Sequence, residues 1–120
     1  MKALAIASVI HVKDLNQSLL YYTDILGFST DFRYGEYIGL RYGDILLHLS
    51  SSLNPGHKKE PGSGHVCIDC EEIDTYYEDL RLKGATISAP IDNRPYGLRD
   101  FAVDDPDGNT LVFAQAITSI

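Results

Sequence analysis

The pattern of apolar and polar positions in the first half of the chain predicts five elements in the order strand, helix, strand, strand, strand. An apolar stretch at 5–12 predicts a buried strand, and Asp14 with Gln17 three residues later has the pattern of a helix N-cap. Apolar residues then recur at helical spacing as far as Gly27, whose position predicts the end of the helix. Three shorter β-rich segments predict a three-stranded meander at 28–33, 37–41 and 45–50.

The same order repeats in the second half. After a linker at 54–63, the pattern predicts a strand at 65–69 and a helix at 72–83, then strands at 85–89, 98–103 and 109–115. A shift of 58 residues superposes Leu15 on Ile73, but the closing glycines Gly27 and Gly84 differ by 57, so the first helix holds one extra residue. A turn is predicted at 105–108. The sequence therefore predicts one α+β domain of two tandem βαβββ units, 1–53 and 64–120.

Composition narrows the classes of function. The chain has 120 residues, which suits one domain, and its formal net charge of −7 disfavours binding to nucleic acid or to anionic membranes. No apolar run approaches the ~20 residues of a membrane span, and Cys67 and Cys70 are too few for a disulfide scaffold. We therefore expect a cytoplasmic protein with reduced thiols and with no nucleic-acid or membrane partner.

Three stretches of the chain resemble one known group of proteins. They are Val12-Lys13-Asp14-Leu15, the segment from Tyr22 to Phe32, and the segment from Arg94 to Asn109. With the repeated βαβββ order they resemble the vicinal oxygen chelate superfamily, which includes glyoxalases, extradiol dioxygenases and bleomycin-resistance proteins. The ending Ser29-Thr30-Asp31-Phe32 is most similar to bleomycin-binding members. The resemblance implies that each unit forms half of a cup from a curled mixed sheet, a half-barrel, and that two chains form a homodimer around a small-molecule ligand.

The resemblance also raises the question of a metal ion, because metal-dependent members carry a ligand on the first strand of each unit and an acid on the last. The matching positions are Ala7, Leu47, His65 and Val112, of which only His65 is a metal-ligand type. A turn one residue longer would bring His48 to the cup face instead of Leu47. Two histidines without a carboxylate make a poor oxygen-ligand site, so the sequence predicts no metal and no cofactor.

Aromatic residues carry the remaining site signal, because an aromatic-lined cleft with a few polar groups is the usual form of a small-molecule site. Asp31 and Glu36 would attract a cation there, whereas Arg99 would suit a carboxylate, so the sign of the ligand stays open. For Phe101, core packing is the alternative interpretation. The predicted ligand-binding residues are Asp31, Phe32, Tyr37, His48, His65, Tyr96, Arg99 and Phe101, and no catalytic residue is predicted.

The leading hypothesis is metal-independent binding and sequestration of a small aromatic compound, in one version a cationic one, as in bleomycin resistance. The alternative is a metal-dependent lyase, isomerase or dioxygenase of the same superfamily that uses His65 and His48. A third hypothesis is a structural or regulatory dimer whose cup holds no cavity.

Overall fold

The computed structural model describes residues 1–55 and 59–117. Residues 56–58, within the predicted linker, and 118–120, at the end of the second predicted unit, lie outside the described residues. Each half of the chain contains a strand, a helix and three further strands. The elements are β1 Ser8–Val12, α1 Leu15–Leu20, β2 Ser29–Tyr34, β3 Tyr37–Tyr42, β4 Ile45–Ser51, β5 His65–Asp69, α2 Ile73–Leu82, β6 Thr86–Asn93, β7 Leu98–Asp104 and β8 Thr110–Ala116.

The strands form two four-stranded mixed sheets with the same order. In the first sheet the order is β1-β4-β3-β2, in the second it is β5-β8-β7-β6, and the pairs β1/β4 and β5/β8 are parallel. This arrangement confirms the predicted α+β fold of tandem βαβββ units, while the dimer stays a prediction. The first strand is shorter than predicted because its pairing with β4 begins at Ser8, opposite Leu47. Among the described residues, neither helix is long and apolar enough to cross a membrane.

The extra residue of the first helix is accommodated by a change of helix type. Asp14 accepts a hydrogen bond from the Gln17 backbone N–H at 3.0 Å and caps α1, as predicted. At Tyr21–Ile25 the helix continues as a π-helical turn, in which the Leu26 N–H donates to the Tyr21 carbonyl at 3.0 Å. A π-turn absorbs one inserted residue without ending the helix. The backbone then leaves the helix at Gly27, whose φ of +89° favours glycine.

The apolar faces of both sheets pack against one shared core. Apolar side chains of the two helices and of both sheets form a single buried cluster, which includes Leu15, Leu49, Leu80 and Phe113. We call the opposite side of each sheet its outer face. The two helices pack on the core side and leave the outer faces uncovered. Val9, on the outer face of the first sheet, is therefore 43% exposed.

Buried polar contacts join the two units at the turn between β7 and β8. The Tyr22 hydroxyl donates to Asp105 Oδ2 at 2.9 Å, and the Asn109 side-chain amide donates to the His11 carbonyl at 3.0 Å. Asp107 accepts from the backbone N–H of Lys13 at 3.2 Å. The predicted turn at 105–108 is present, and it also fastens the second unit to the first.

Candidate functional site

Three predicted site residues meet on the outer face of the first sheet. Phe32 on β2, Tyr37 on β3 and His48 on β4 have side chains directed away from the core. The ring centroids of Phe32 and Tyr37 are 6.2 Å apart and nearly parallel, and those of Phe32 and His48 are 5.2 Å apart in an edge arrangement. The Tyr37 hydroxyl lies 2.8 Å from His48 Nδ1. We call these three residues the aromatic cluster.

Gly39 makes the geometry of the aromatic cluster feasible. It lies between Phe32 and His48 in one row across the sheet. A Cβ atom at this position would collide with the Phe32 ring, so only glycine lets the ring lie flat against the strand. Phe32 is nevertheless 41% exposed, so an approaching ligand can reach the ring. Gly39 is not among the predicted site residues, although a glycine inside a strand is a signal that could have indicated it.

The hydrogen bond between Tyr37 and His48 fixes the polar edge of the cluster. Partial burial raises the pKa of the Tyr37 phenol, which therefore stays protonated at neutral pH. Its hydroxyl can donate to a neutral His48 that carries its proton on Nε2. The sheet register also decides between the two candidate residues on β4: Leu47 is buried in the core, and His48 faces outward.

Acidic residues lie beside the aromatic cluster but are not free of partners. Asp31 stands at a bulge in β2, and its carboxylate is 4.0 Å from Arg41 Nε in an exposed ion pair. Glu36 accepts a hydrogen bond from the Ser51 hydroxyl at 2.6 Å. Arg41 therefore weakens the field of Asp31 at the cluster, whereas the neutral Ser51 hydroxyl leaves the charge of Glu36 in place.

In the second unit, Tyr96 forms a polar cluster with Arg94 and Asp100, which are not among the predicted site residues. Its hydroxyl donates to Asp100 Oδ2 at 2.6 Å, and Arg94 Nε donates to Asp100 Oδ1 at 2.7 Å. Burial opposes ionisation of Asp100, but these two hydrogen bonds and the Arg94 charge outweigh it and lower the pKa of the carboxyl. The Tyr96 ring is 66% exposed. The hairpin spacing of Arg94 and Asp100 around the turn is the signal that could have found them.

Arg99 and Phe101 are not on the outer face, which differs from the sequence prediction. Both alternate with Asp100 along β7 and point to the core side. Arg99 forms an ion pair with Asp74 of α2 at 2.7 Å, and Phe101 is fully buried with its ring centroid 4.9 Å from that of Tyr77. Four consecutive residues of β7 are buried, so burial does not alternate along this strand. The sequence pattern therefore could not show which face of β7 is outward.

The donor atoms available to a metal ion are few. His65 is exposed at the start of β5, opposite Thr110, and His48 lies opposite Val9 of β1. Neither histidine has a carboxylate beside it in the sheet, and residues 1–55 and 59–117 contain no group of three or more His, Cys, Asp or Glu that could hold a metal ion. Within one chain, this donor set does not fit a divalent metal, which needs about three protein ligands.

Known proteins are similar to this one in sequence and structure over nearly the whole chain. The chain is 27% identical to the bleomycin resistance protein of Geobacillus stearothermophilus, over 90% of this chain and 93% of that protein. It is 26% identical to the lactoylglutathione lyase of Haemophilus influenzae, over 90% and 89% of the two chains. The crystal structure of the bleomycin-binding protein of Streptomyces verticillus in complex with copper(II)-bleomycin superposes with a TM-score of 0.77 at 26% identity, covering 99% of both chains. The family model of the glyoxalase/bleomycin resistance protein/dioxygenase superfamily matches residues 5–113, and the chain belongs to this superfamily.

Proposed function

We propose that the protein binds and sequesters a small planar aromatic compound of the bleomycin type, without a metal of its own. The observation that carries this proposal is the aromatic cluster, in which Phe32 and Tyr37 stand nearly parallel on an open outer face. Stacking on such rings stabilises planar ligands. The relatives named for bleomycin resistance and bleomycin binding support the same ligand class.

The outer faces need a second layer to enclose a ligand. The accessible surface of the chain is 7429 Å², against about 6,450 Å² for a compact monomer of 13.3 kDa. The exposed residues 1–6 supply part of this excess, and a standard interface buries ~800 Å² on each partner. We infer a homodimer in which the aromatic cluster of one chain faces the second sheet of the other. That sheet offers a shallow outer floor of small residues, Ala102, Val112 and Ala114, with Tyr96 at its end.

Charge plays a secondary role in this proposal. Arg41 offsets Asp31 and Arg94 offsets Asp100, so these two carboxylates add little net charge to the outer faces. The overall charge of −7 still attracts a cationic ligand over long distances. Affinity should therefore depend more on the ring stack than on any one carboxylate, and it should fall only modestly with added salt.

The proposal is tested by calorimetric titration with metal-free bleomycin. We expect saturable binding of about one drug per chain, because each chain contributes one half of each of two cups. Phe32→Ala and Tyr96→Ala should each weaken binding about tenfold, the value expected for the loss of one aromatic contact. Leu82→Ala is the control, since Leu82 is 80% exposed on α2 and far from the proposed cup. An absence of heat at high micromolar drug would contradict the proposal.

A mixing experiment tests whether the site is shared between chains. In a heterodimer of the Phe32→Ala and Tyr96→Ala variants, a cup built from two chains combines both substitutions in one site and neither in the other. Equal mixing of freely exchanging variants should therefore restore wild-type affinity in about a quarter of the sites. A site within one chain would always carry one substitution, so mixing would restore nothing.

The second candidate function is a metal-dependent lyase, which the relationship to lactoylglutathione lyase favours. In a dimer, His65 of one chain and His48 of the other could approach the same cup. Metal analysis of protein purified without chelator discriminates between the two functions. A metal content of about one per chain, lost together in His48→Ala and His65→Ala, would favour the lyase.

A further inference from the structure

A cavity of about 530 Å³ lies on the core side of the sheets, apart from the outer faces. It is bounded by the first turns of α2, the β3–β4 hairpin and the strands β5 and β8. We call it the helix-side cavity. Its volume is within the range of about 300–1,000 Å³ that is typical of small-molecule sites. None of the aromatic cluster lines it, so the proposed function makes no use of it.

The walls of the helix-side cavity are aromatic. Tyr76 of α2 stands between Tyr42 and Phe113, with ring centroids 5.9 Å and 5.0 Å from theirs, and Phe28 lies 5.4 Å from Tyr42. Successive rings are inclined to each other by 72° to 76°. All four rings line the cavity, and the electron-rich face of an aromatic ring attracts a positive charge.

The rim of the helix-side cavity is acidic. Glu71, Glu72 and Asp79 line it, and no lysine, arginine or histidine of the described residues does. Asp79 is held by Lys83 at 3.1 Å. Across residues 1–55 and 59–117, no basic group forms an ion pair with Glu71 or Glu72. The rim therefore carries a negative charge that the described residues do not neutralise.

Two donors at the cavity are already engaged within the protein. The first N–H of α2, at Ile73, already donates to the Gln115 side chain at 3.0 Å. The Tyr76 hydroxyl donates to the Leu26 carbonyl at 2.6 Å. Burial raises the pKa of the Cys70 thiol, which is therefore neutral at physiological pH.

From these contacts we propose that the helix-side cavity is a second binding site, for a small organic cation whose ammonium group is attached to an apolar or aromatic body. The ammonium lies near the acidic rim, and the body lies against the rings. This site is independent of the outer faces and of bleomycin binding.

The test uses benzyltrimethylammonium as the probe and phenylacetate, of similar size and opposite charge, as its counterpart. Amide shifts in ¹H–¹⁵N spectra identify where each compound binds. We expect benzyltrimethylammonium to shift the amides of residues 69–76 and 42–45 saturably, while those of Gly39 and Gly97 on the outer faces stay in place. Phenylacetate should shift neither group.

Matched variants separate a local site from the general field of an acidic protein. Glu71→Gln with Glu72→Gln should weaken binding of the probe about fivefold, because two exposed charges are removed without a change of shape. Asp24→Asn with Glu60→Gln removes two carboxylates that do not line the cavity and should leave the affinity unchanged. Tyr42→Leu, which removes one wall, should weaken binding about tenfold.

The thiol of Cys70 gives a second readout within the cavity. In a Cys67→Ser background, saturating benzyltrimethylammonium should slow the alkylation of Cys70 by iodoacetamide severalfold. Three results would each overturn the proposal: no shift at residues 69–76 up to high millimolar probe, equal shifts with phenylacetate, or the same loss of affinity in both double variants. Shifts confined to the outer faces would place the cation in the bleomycin-type site instead and would also refute it.

Discussion

Tyr22→Phe removes one oxygen atom from the junction between the two units. The Tyr22 hydroxyl is buried and donates to Asp105 Oδ2 at 2.9 Å, and Asp105 is only 5% exposed. A buried hydrogen bond to a charged group contributes about 1.5–3 kcal/mol. Asp105 keeps other donors, among them the Asn109 side-chain amide at 2.9 Å, so we expect a loss near the middle of this range, about 2 kcal/mol.

The loss of stability caused by Tyr22→Phe should depend on pH in a defined direction. Burial raises the pKa of the Asp105 carboxyl, and the hydrogen bond from Tyr22 partly opposes this rise. A raised pKa means that protonation of Asp105 favours the folded state. This contribution to the free energy of unfolding is fully present below the pKa of the unfolded chain, about 3.9, and is lost as pH rises through the pKa of the folded chain. Tyr22→Phe raises the folded pKa further. The difference in free energy of unfolding should therefore be largest near pH 7.5 and should shrink toward pH 4.

Urea denaturation at fixed protein concentration measures this difference at both pH values. For a chain of 120 residues, about 2 kcal/mol corresponds to a fall of about 8 °C in Tm at neutral pH. Tyr34→Phe is the control, because Tyr34 is 85% exposed, and it should change stability by less than about 0.5 kcal/mol. If Tyr22→Phe matched this control at pH 7.5, or if its effect grew toward pH 4, the junction would not rest on this hydrogen bond.

Three further substitutions separate the outer face from the core. Gly39→Ala should displace the Phe32 ring and weaken bleomycin binding about tenfold, measured by titration; unchanged affinity would show that the ring position is unimportant. Phe101→Ala should lower the free energy of unfolding by about 3–5 kcal/mol, measured with urea, because the ring is fully buried; a small effect would contradict its place in the core. Arg99→Ala should leave drug affinity within about twofold and change stability little, since its pair with Asp74 is screened by solvent; a large loss of affinity would return Arg99 to the site.

The fold could be predicted from the sequence because the pattern occurs twice. Each unit supports the assignment of the other, and the mismatch between the shifts of Leu15 and Gly27 already indicated an extra residue in the first helix. The π-helical turn at Tyr21–Ile25 is the structural form of that residue. The order of the strands within each sheet was not predicted, since strand alternation alone does not specify which strands are neighbours.

Which side chains share the outer face could be predicted only where one face of a strand is clearly polar. On β4, the sequence left Leu47 and His48 open, and the pairing of β1 with β4 settled the choice by burying Leu47. On β7, a residue shift of one exchanges the two faces. Arg99 and Phe101, both among the predicted ligand-binding residues, point to the core side, which for Phe101 is the alternative interpretation of core packing. Asp100, between them, is the residue that faces Tyr96.

Contacts between the units lay beyond sequence reasoning, because they join residues far apart in the chain. Turn chemistry accounts for Asp105 as a local feature, since it accepts the Asp107 N–H at 2.9 Å, yet the same carboxylate is buried by Tyr22 from the other unit. The helix-side cavity has the same origin: Tyr42 belongs to the first unit, whereas Tyr76 and Phe113 belong to the second. A duplicated pattern predicts each unit well, but new chemistry can arise where the two copies meet, and there the duplication gives no guide.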